Sequence, residues 1–377
     1  MKKILLGTTG LVAVALLATA ASAETPKVTL GGFSDFQSGW TNDDQDAGRN
    51  SNGFRNDNEI TVKVDGKTDG GLGYGAQIDL EADTTADADN QGVNASRTFT
   101  YLDGNWGRVE LGGNKSVAST MRVDASTLAA ATGGINGAWT YFVNGAPTTG
   151  AGYITTSKLV SEHGSTRSFG DETTYNASKV SYYTPKFSGF QAGVSYTPQL
   201  ADRGQTIGRS DTNGLSDVLD LGLGYEGTFS NIKLAASGTY ETANGNGALT
   251  GLVGTDDVNA WNLGALVGYQ GFSLAGSYGS WDDAGATGVE GDYWTAGLGY
   301  SAGPIGVSAT YLTSTLESTG VSDNDFENIV LGAEYKLAAG LTPYAEVSFY
   351  DFDNNGKAAT TYDNQGTTFI LGTQVAF

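Results

Sequence analysis

The chain has 377 residues, with 41 acidic against 20 basic side chains and a formal net charge of −21, a balance that argues against a nucleic-acid partner. It contains no cysteine and a single histidine, which excludes disulfide frameworks, CxxC-type metal sites and histidine-based zinc clusters. Glycine supplies 56 residues, about twice the usual share. With 19 tyrosines and 6 prolines, this composition suits a long sheet that closes on its own hydrogen bonds.

The first predicted element is a leader. Lys2 and Lys3 precede an apolar run over residues 4–18, and Ala21, Ser22 and Ala23 form an A-x-A cleavage pattern. The expectation is a signal peptide over 1–23 and a mature chain from Glu24. No later apolar run reaches the ~18 residues of a membrane helix. An exported chain of this kind is either soluble or enters a membrane as a closed barrel.

Segments of alternating side chains follow at hairpin spacing: 28–40, 54–66, 72–83, 96–103 and 108–113. Residues 114–177 break the alternation, with a short helix expected within 116–131. A structureless stretch of this length is usually functional. Beyond it, 219–225, 261–269, 294–300 and 329–335 each end in Tyr before a short turn (227–231, 270–271, 301–304 and 336–340). Rising segments such as 272–281 and 305–314 run on into polar loops such as 241–257. The last ten residues put Phe369, Leu371, Thr373, Val375 and Phe377 on one face. Their length is that of a strand tilted across a bilayer.

Short turns at one end and long loops at the other are the asymmetry of an outer-membrane barrel, and the terminal tyrosines form one belt of its aromatic girdle. The predicted fold is all-β: a sixteen-stranded antiparallel transmembrane β-barrel over 24–377, with 114–177 as a long third loop folded into the lumen. Alternation alone does not say which face is inside. The leader, the Tyr belt and Phe377 assign the apolar face to lipid.

Two stretches, RTFTYLDGNWGRVELG at 97–112 and SKVSYYTPKFSGFQAGVSY at 178–196, resemble the general porin family of Gram-negative bacteria, particularly its alpha- and betaproteobacterial type. They flank the long loop where that family has its third loop, and the closing strand with its terminal Phe is also similar. The resemblance implies an outer-membrane channel for passive diffusion of small hydrophilic solutes and ions, with no enzymatic activity. It implies contact with lipid and lipopolysaccharide, a homotrimer, and a constriction where loop acids face basic wall residues. On that basis Asp124 is the candidate loop acid. Arg108, Lys63, Arg55 and Lys179 share the polar parity and are candidate lining residues, and Phe377 is the candidate assembly residue. Arg97 falls on the apolar parity and is expected near lipid head groups.

The lumen parity carries Asp35, Glu59, Asp79, Glu81, Asp220, Glu226 and Glu346, so a weak cation preference is expected. Outward positions of the first strand include Gly32, Ser34 and Ser38, small enough for barrels to approach one another. Two alternatives stand beside the diffusion channel: a surface adhesin using the acidic loops, and a sugar-specific channel with Trp281, Tyr293, Tyr344 and Tyr350 as an aromatic track. The only candidate catalytic base is His163, for which a solvated loop residue is the default reading. Asp351, Asp353 and Asn355 with Gly356 resemble the start of a calcium loop, but Tyr362 stands where the closing bidentate acid belongs. Asp87 and Asp89 form a poorer copy. No other cofactor is expected.

Overall fold

A computed structural model describes residues 24–46, 48, 50–82, 94–143, 177–200, 204, 215–245, 257–282, 289–318, 321–354 and 363–377. The expected leader, Asp87, Asp89, His163, Asn355 and Tyr362 lie outside these residues.

Sixteen strands are present among the described residues. They are β1 (Glu24–Asp43), β2 (Asn52–Lys67), β3 (Gly73–Glu81), β4 (Asn94–Gly104), β5 (Gly107–Gly113), β6 (Ser178–Tyr183), β7 (Phe190–Gln199) and β8 (Leu215–Phe229). They continue as β9 (Ile232–Gly245), β10 (Val258–Tyr269), β11 (Phe272–Asp282), β12 (Val289–Ala302), β13 (Ile305–Ser318), β14 (Val321–Tyr335), β15 (Leu341–Asn354) and β16 (Asn364–Ala376). Each pairs with its neighbours in sequence, and β1 pairs antiparallel with β16, so the barrel is closed and has no free edge. The strands extend further than the alternating segments suggest. β8 runs to Phe229, and β9 takes in residues 241–245 of an expected loop, because polar residues also keep the ladder going beyond the apolar band.

At the turn end the connections are tight. Ser230 and Asn231 (φ 46° and 71°) join β8 to β9, and Gln270 and Gly271 (φ 48° and 88°) join β10 to β11. Two consecutive positive φ angles match the twist of the flanking strands.

The outer face is apolar. On β16, Phe369, Leu371 and Val375 are exposed, as is Phe377 just beyond it, while Thr368 and Ile370 are buried. The expected Tyr belt at the turn end includes Phe190 against Tyr225 and Phe272 against Tyr300, with ring centroids 4.8 and 4.5 Å apart. A second belt at the loop end pairs Trp40 with Phe369, Trp261 with Tyr278 and Trp294 with Tyr311. Two aromatic belts bracketing an apolar band are what a bilayer selects.

Two expectations need correction. Arg97 faces inward: its Nε lies 2.7 Å from Asp79 Oδ2, and its strand neighbours Phe99 and Tyr101 are buried on the same side. A register shift between β3 and β4 sets this alignment, and on β4 the aromatics, against the usual pattern, mark the inner face. Gly32 is small for a backbone reason: its φ is +152°, and a Cβ there would stand 2.2 Å from the Glu59 carbonyl oxygen. Ser34 and Ser38 remain as the small outward positions of β1.

Candidate functional site: the inner wall and the segment docked on it

After β5 the chain leaves the barrel wall and residues 114–143 lie along its inner face. Ser116 caps α1 (Val117–Met121), its Oγ accepting the Ser119 N–H at 3.2 Å. Three 3₁₀ turns follow, at Ala125–Leu128, Gly134–Asn136 and Ala138–Tyr141. Backbone N–H groups of this segment donate to side chains on six strands between β7 and β15. Val117 donates to Ser195 Oγ on β7 (3.0 Å), Val123 to Ser237 Oγ on β9 (2.8 Å) and Ala125 to Thr295 Oγ1 on β12 (3.2 Å). Ala130 donates to Ser308 Oγ on β13 (2.9 Å), Ala131 to Glu334 Oε2 on β14 (3.3 Å) and Thr132 to Glu346 Oε2 on β15 (3.1 Å). Short turns leave many N–H groups unpaired in the chain itself, and the inner wall supplies their acceptors.

Packing completes the seat. At Gly264 on β10 a Cβ would lie 1.7 Å from the Val123 carbonyl oxygen, so only glycine admits the segment there. Further along, buried Trp139 stacks between Phe326 and Tyr350, at 6.5 and 5.7 Å between centroids, and its Nε1 donates to the Gly134 carbonyl. Ile135, Leu312, Val330, Phe352 and Ile370 close this apolar cluster. The four aromatics considered as a sugar track, Trp281, Tyr293, Tyr344 and Tyr350, are all buried in the packed wall rather than lining open lumen.

The opposite wall, β2–β5, carries paired charges. Arg55 Nη1 lies 2.9 Å from Asp57 Oδ2, and its guanidinium stacks 3.9 Å from the ring centroid of Tyr141 on the segment. Lys63 Nζ lies 3.2 Å from Asp65 Oδ1. Arg108 Nε donates to Glu110 Oε1 at 2.6 Å while its guanidinium sits 3.9 Å over the ring of Tyr101. The Tyr101 hydroxyl donates to Asp65, and Lys63 Nζ is 5.9 Å from the same ring, so Tyr101 brings Lys63 and Arg108 together.

Lys179 and Asp124 are placed differently. Lys179 is 4% exposed, and its Nζ donates to the Asn114 and Ala177 carbonyls, the two described ends of the long loop. Asn114 Nδ2 in turn donates to Glu110 Oε2 at 2.6 Å, so a chain from Arg108 through Glu110 holds the loop's base. Asp124 is 2% exposed; it caps the turn at Ala125–Leu128 by accepting the Ser126 N–H at 2.8 Å and lies 3.2 Å from Arg122 Nε. It stands against β9–β12, apart from the charged wall.

Sequence reasoning passed over the partners. Arg55 and Asp57, Lys63 and Asp65, Arg108 and Glu110, and Arg122 and Asp124 all repeat one spacing, a base followed two residues later by an acid. For the three pairs that lie on strands that spacing puts both side chains on one face, so their signal was present in the sequence. At the rim, Asp351 Oδ2 accepts from Gln365 Nε2 at 2.9 Å, and Asp353 is exposed. Among the described residues, no three carboxylates or histidines come together at metal-binding spacing.

A closed antiparallel barrel with a lipid-facing outer surface, two aromatic belts and a polar inner wall defines an outer-membrane β-barrel channel. The sequence model described as Gram-negative porin matches residues 8–355, and the chain belongs to that family. An uncharacterized protein of Rickettsia conorii is 27% identical, with both chains covered in full. Outer membrane porin protein 32 of Delftia acidovorans is 32% identical over 210 residues, covering 54% of this chain and 52% of its own. Among solved structures, the anion-selective porin from Comamonas acidovorans superimposes with a TM-score of 0.62 at 20% identity, covering 94% of this chain and all of its own. OmpT of Vibrio cholerae in its trimer form gives 0.63 at 13% identity with the same coverage.

Proposed function

We propose that this porin is a general diffusion channel for small hydrophilic solutes and ions, weakly cation-preferring, acting without catalysis. One observation carries the reading. Residues 114–143 cover the inner wall of β7–β15, whereas the charged side chains of β2–β5 keep part of their surface open to the lumen. Residues 114–177 are then the constriction loop. Solutes pass between the docked segment and the wall that bears Arg55, Lys63 and Arg108, with Asp124 offsetting the charge of Arg122 on the opposite side.

Each of those bases has a carboxylate beside it, so the wall exerts only a modest field. Further inward acids, Glu59 among them, tip the balance toward cations. Burial of Trp281, Tyr293, Tyr344 and Tyr350 favours a general channel over a sugar-specific one. The assembly is a homotrimer in lipid and lipopolysaccharide, with Ser34 and Ser38 of β1 at the contact. Planar-bilayer recording tests the function: stepwise conductance with a reversal potential of cation sign under a salt gradient is expected. Absence of conductance from correctly folded protein would favour an adhesin instead.

A further inference from the structure

Tyr101 lies across the charged wall. Asp65 on β2, Gly75 on β3, Tyr101 on β4 and Glu110 on β5 are successive register partners, so the four stand at one level. The phenol crosses β3 where glycine leaves it room: a Cβ on Gly75 would stand 2.4 Å from Tyr101 Cζ. Its hydroxyl then reaches β2 and donates to Asp65, which also pairs with Lys63. The same crossing recurs at Tyr344, over Gly372 to Asp35, and at Tyr350, over Gly366 to Asp43, where it braces β15 against β1. Tyr101 adds two cations to it. The Arg108 guanidinium sits 3.9 Å from the ring centroid and Lys63 Nζ 5.9 Å, and Tyr101 is only 6% exposed although it faces the lumen. Arg108, lying over that ring, keeps 31% of its own side-chain surface open.

This level is separate from the one at Arg55. Arg55 and Lys63 are eight residues apart on β2, about 26 Å along the strand. Tyr101 stands three residues before Gly104, which with Gly107 ends the β4–β5 ladder at the tight turns. The lumen therefore has a second charged level near its turn end. A planar guanidinium stacked on an aromatic face holds its charge in one place, which a flexible ammonium does not. We propose that Tyr101 is a specificity-determining residue of the channel, acting by position: its ring keeps the Arg108 charge flat against the wall, beside Glu110 and Asp103, so that this level passes cations. The inference rests on the diffusion-channel reading above. Without the ring, Arg108 reaches into the lumen, narrows it and draws anions.

Reversal potentials under a salt gradient and single-channel conductance are recorded for the intact parent, Tyr101→Leu, Arg108→Lys, Arg108→Ser, and Tyr101→Leu combined with Arg108→Ser. In Tyr101→Leu the reversal potential should shift toward anions and conductance should fall. Arg108→Lys keeps the charge but not the flat stacking, so its reversal potential should shift the same way, opposite to that of neutral Arg108→Ser. Adding Tyr101→Leu to Arg108→Ser should leave the reversal potential near that of Arg108→Ser alone. Should Tyr101→Leu not assemble, Arg108→Lys decides alone. An unchanged reversal potential in Tyr101→Leu or in Arg108→Lys, or an undiminished effect of Tyr101→Leu when residue 108 is already Ser, would overturn the role of Tyr101 and leave the channel reading intact. A folded parent that conducts nothing would overturn both.

Discussion

Replacing Gly264 by Ala tests whether residues 114–143 are seated rigidly. The new Cβ would stand 1.7 Å from the Val123 carbonyl oxygen, where real Cβ contacts essentially never fall below 3.0 Å, so the segment must retreat by about 1.3 Å. That motion breaks the 2.8 Å bond from Val123 N–H to Ser237 Oγ. A lost hydrogen bond costs about 0.5–1.5 kcal/mol and overpacking about 1–3 kcal/mol. Against this stand the bonds of Val117 on one side and of Ala130, Ala131 and Thr132 on the other. Trp139 adds an anchor whose truncation alone would cost about 3–5 kcal/mol. The anchors outweigh the local cost, so the segment bows into the lumen instead of detaching. Single-channel conductance of Gly264→Ala should therefore fall, with an unchanged unfolding profile for the barrel. A rise in conductance would mean that the segment undocks. No change would mean that residues 121–126 do not border the conducting path.

Five further outcomes are expected. Trp139→Ala should free the far end of the segment at a cost of about 3–5 kcal/mol, giving noisier and larger conductance and faster proteolysis between residues 114 and 143. Arg108→Ser leaves Glu110 and Asp103 uncompensated and should strengthen cation preference. Asp124→Asn, which keeps a competent cap but releases Arg122, should shift selectivity toward anions; equal reversal potentials in either variant and the parent would remove that pair from the path. Deleting Phe377 should lower the amount of heat-modifiable protein in the outer membrane without lowering synthesis, because its backbone N–H and carbonyl both pair with Gly32 where the barrel closes. Ser34→Leu with Ser38→Leu should convert trimers to monomers on unheated gels while the barrel stays folded, and a parent that already runs as a monomer would refute the trimer.

Much of the fold was legible because a membrane barrel leaves each strand a strong two-fold code. Leu371 faces lipid and Ile370 faces inward, and their neighbours on either side repeat the choice. The code failed where something other than lipid set the side-chain type. Phe99 and Tyr101 are aromatic yet face in, because Tyr101 stacks beneath Arg108 and bonds to Asp65. The same inversion turns Arg97 inward, away from the lipid side that its parity suggests. At Gly32 a small residue suggests a contact between barrels, but its positive φ explains the glycine without a partner.

The site was harder to read because its chemistry lies in contacts between distant positions. Ser195, Ser237, Thr295 and Ser308 are ordinary hydroxyls in an alternating strand, and nothing local marks them as acceptors for a loop more than fifty residues away. The acids of the lumen parity were legible, but counting them overstated the field they exert. Asp79 is held by Arg97, and Glu346 accepts both the N–H and the hydroxyl of Thr132, so part of the inner negative charge secures the wall and the segment instead of facing solute. The acid-to-base ratio of such a lumen therefore sets the sign of its selectivity, while the number of acids left outside these contacts sets its strength. With Arg55, Lys63 and Arg108 each paired two residues along the same strand, that remainder is small, which is why the proposed channel is expected to prefer cations only weakly.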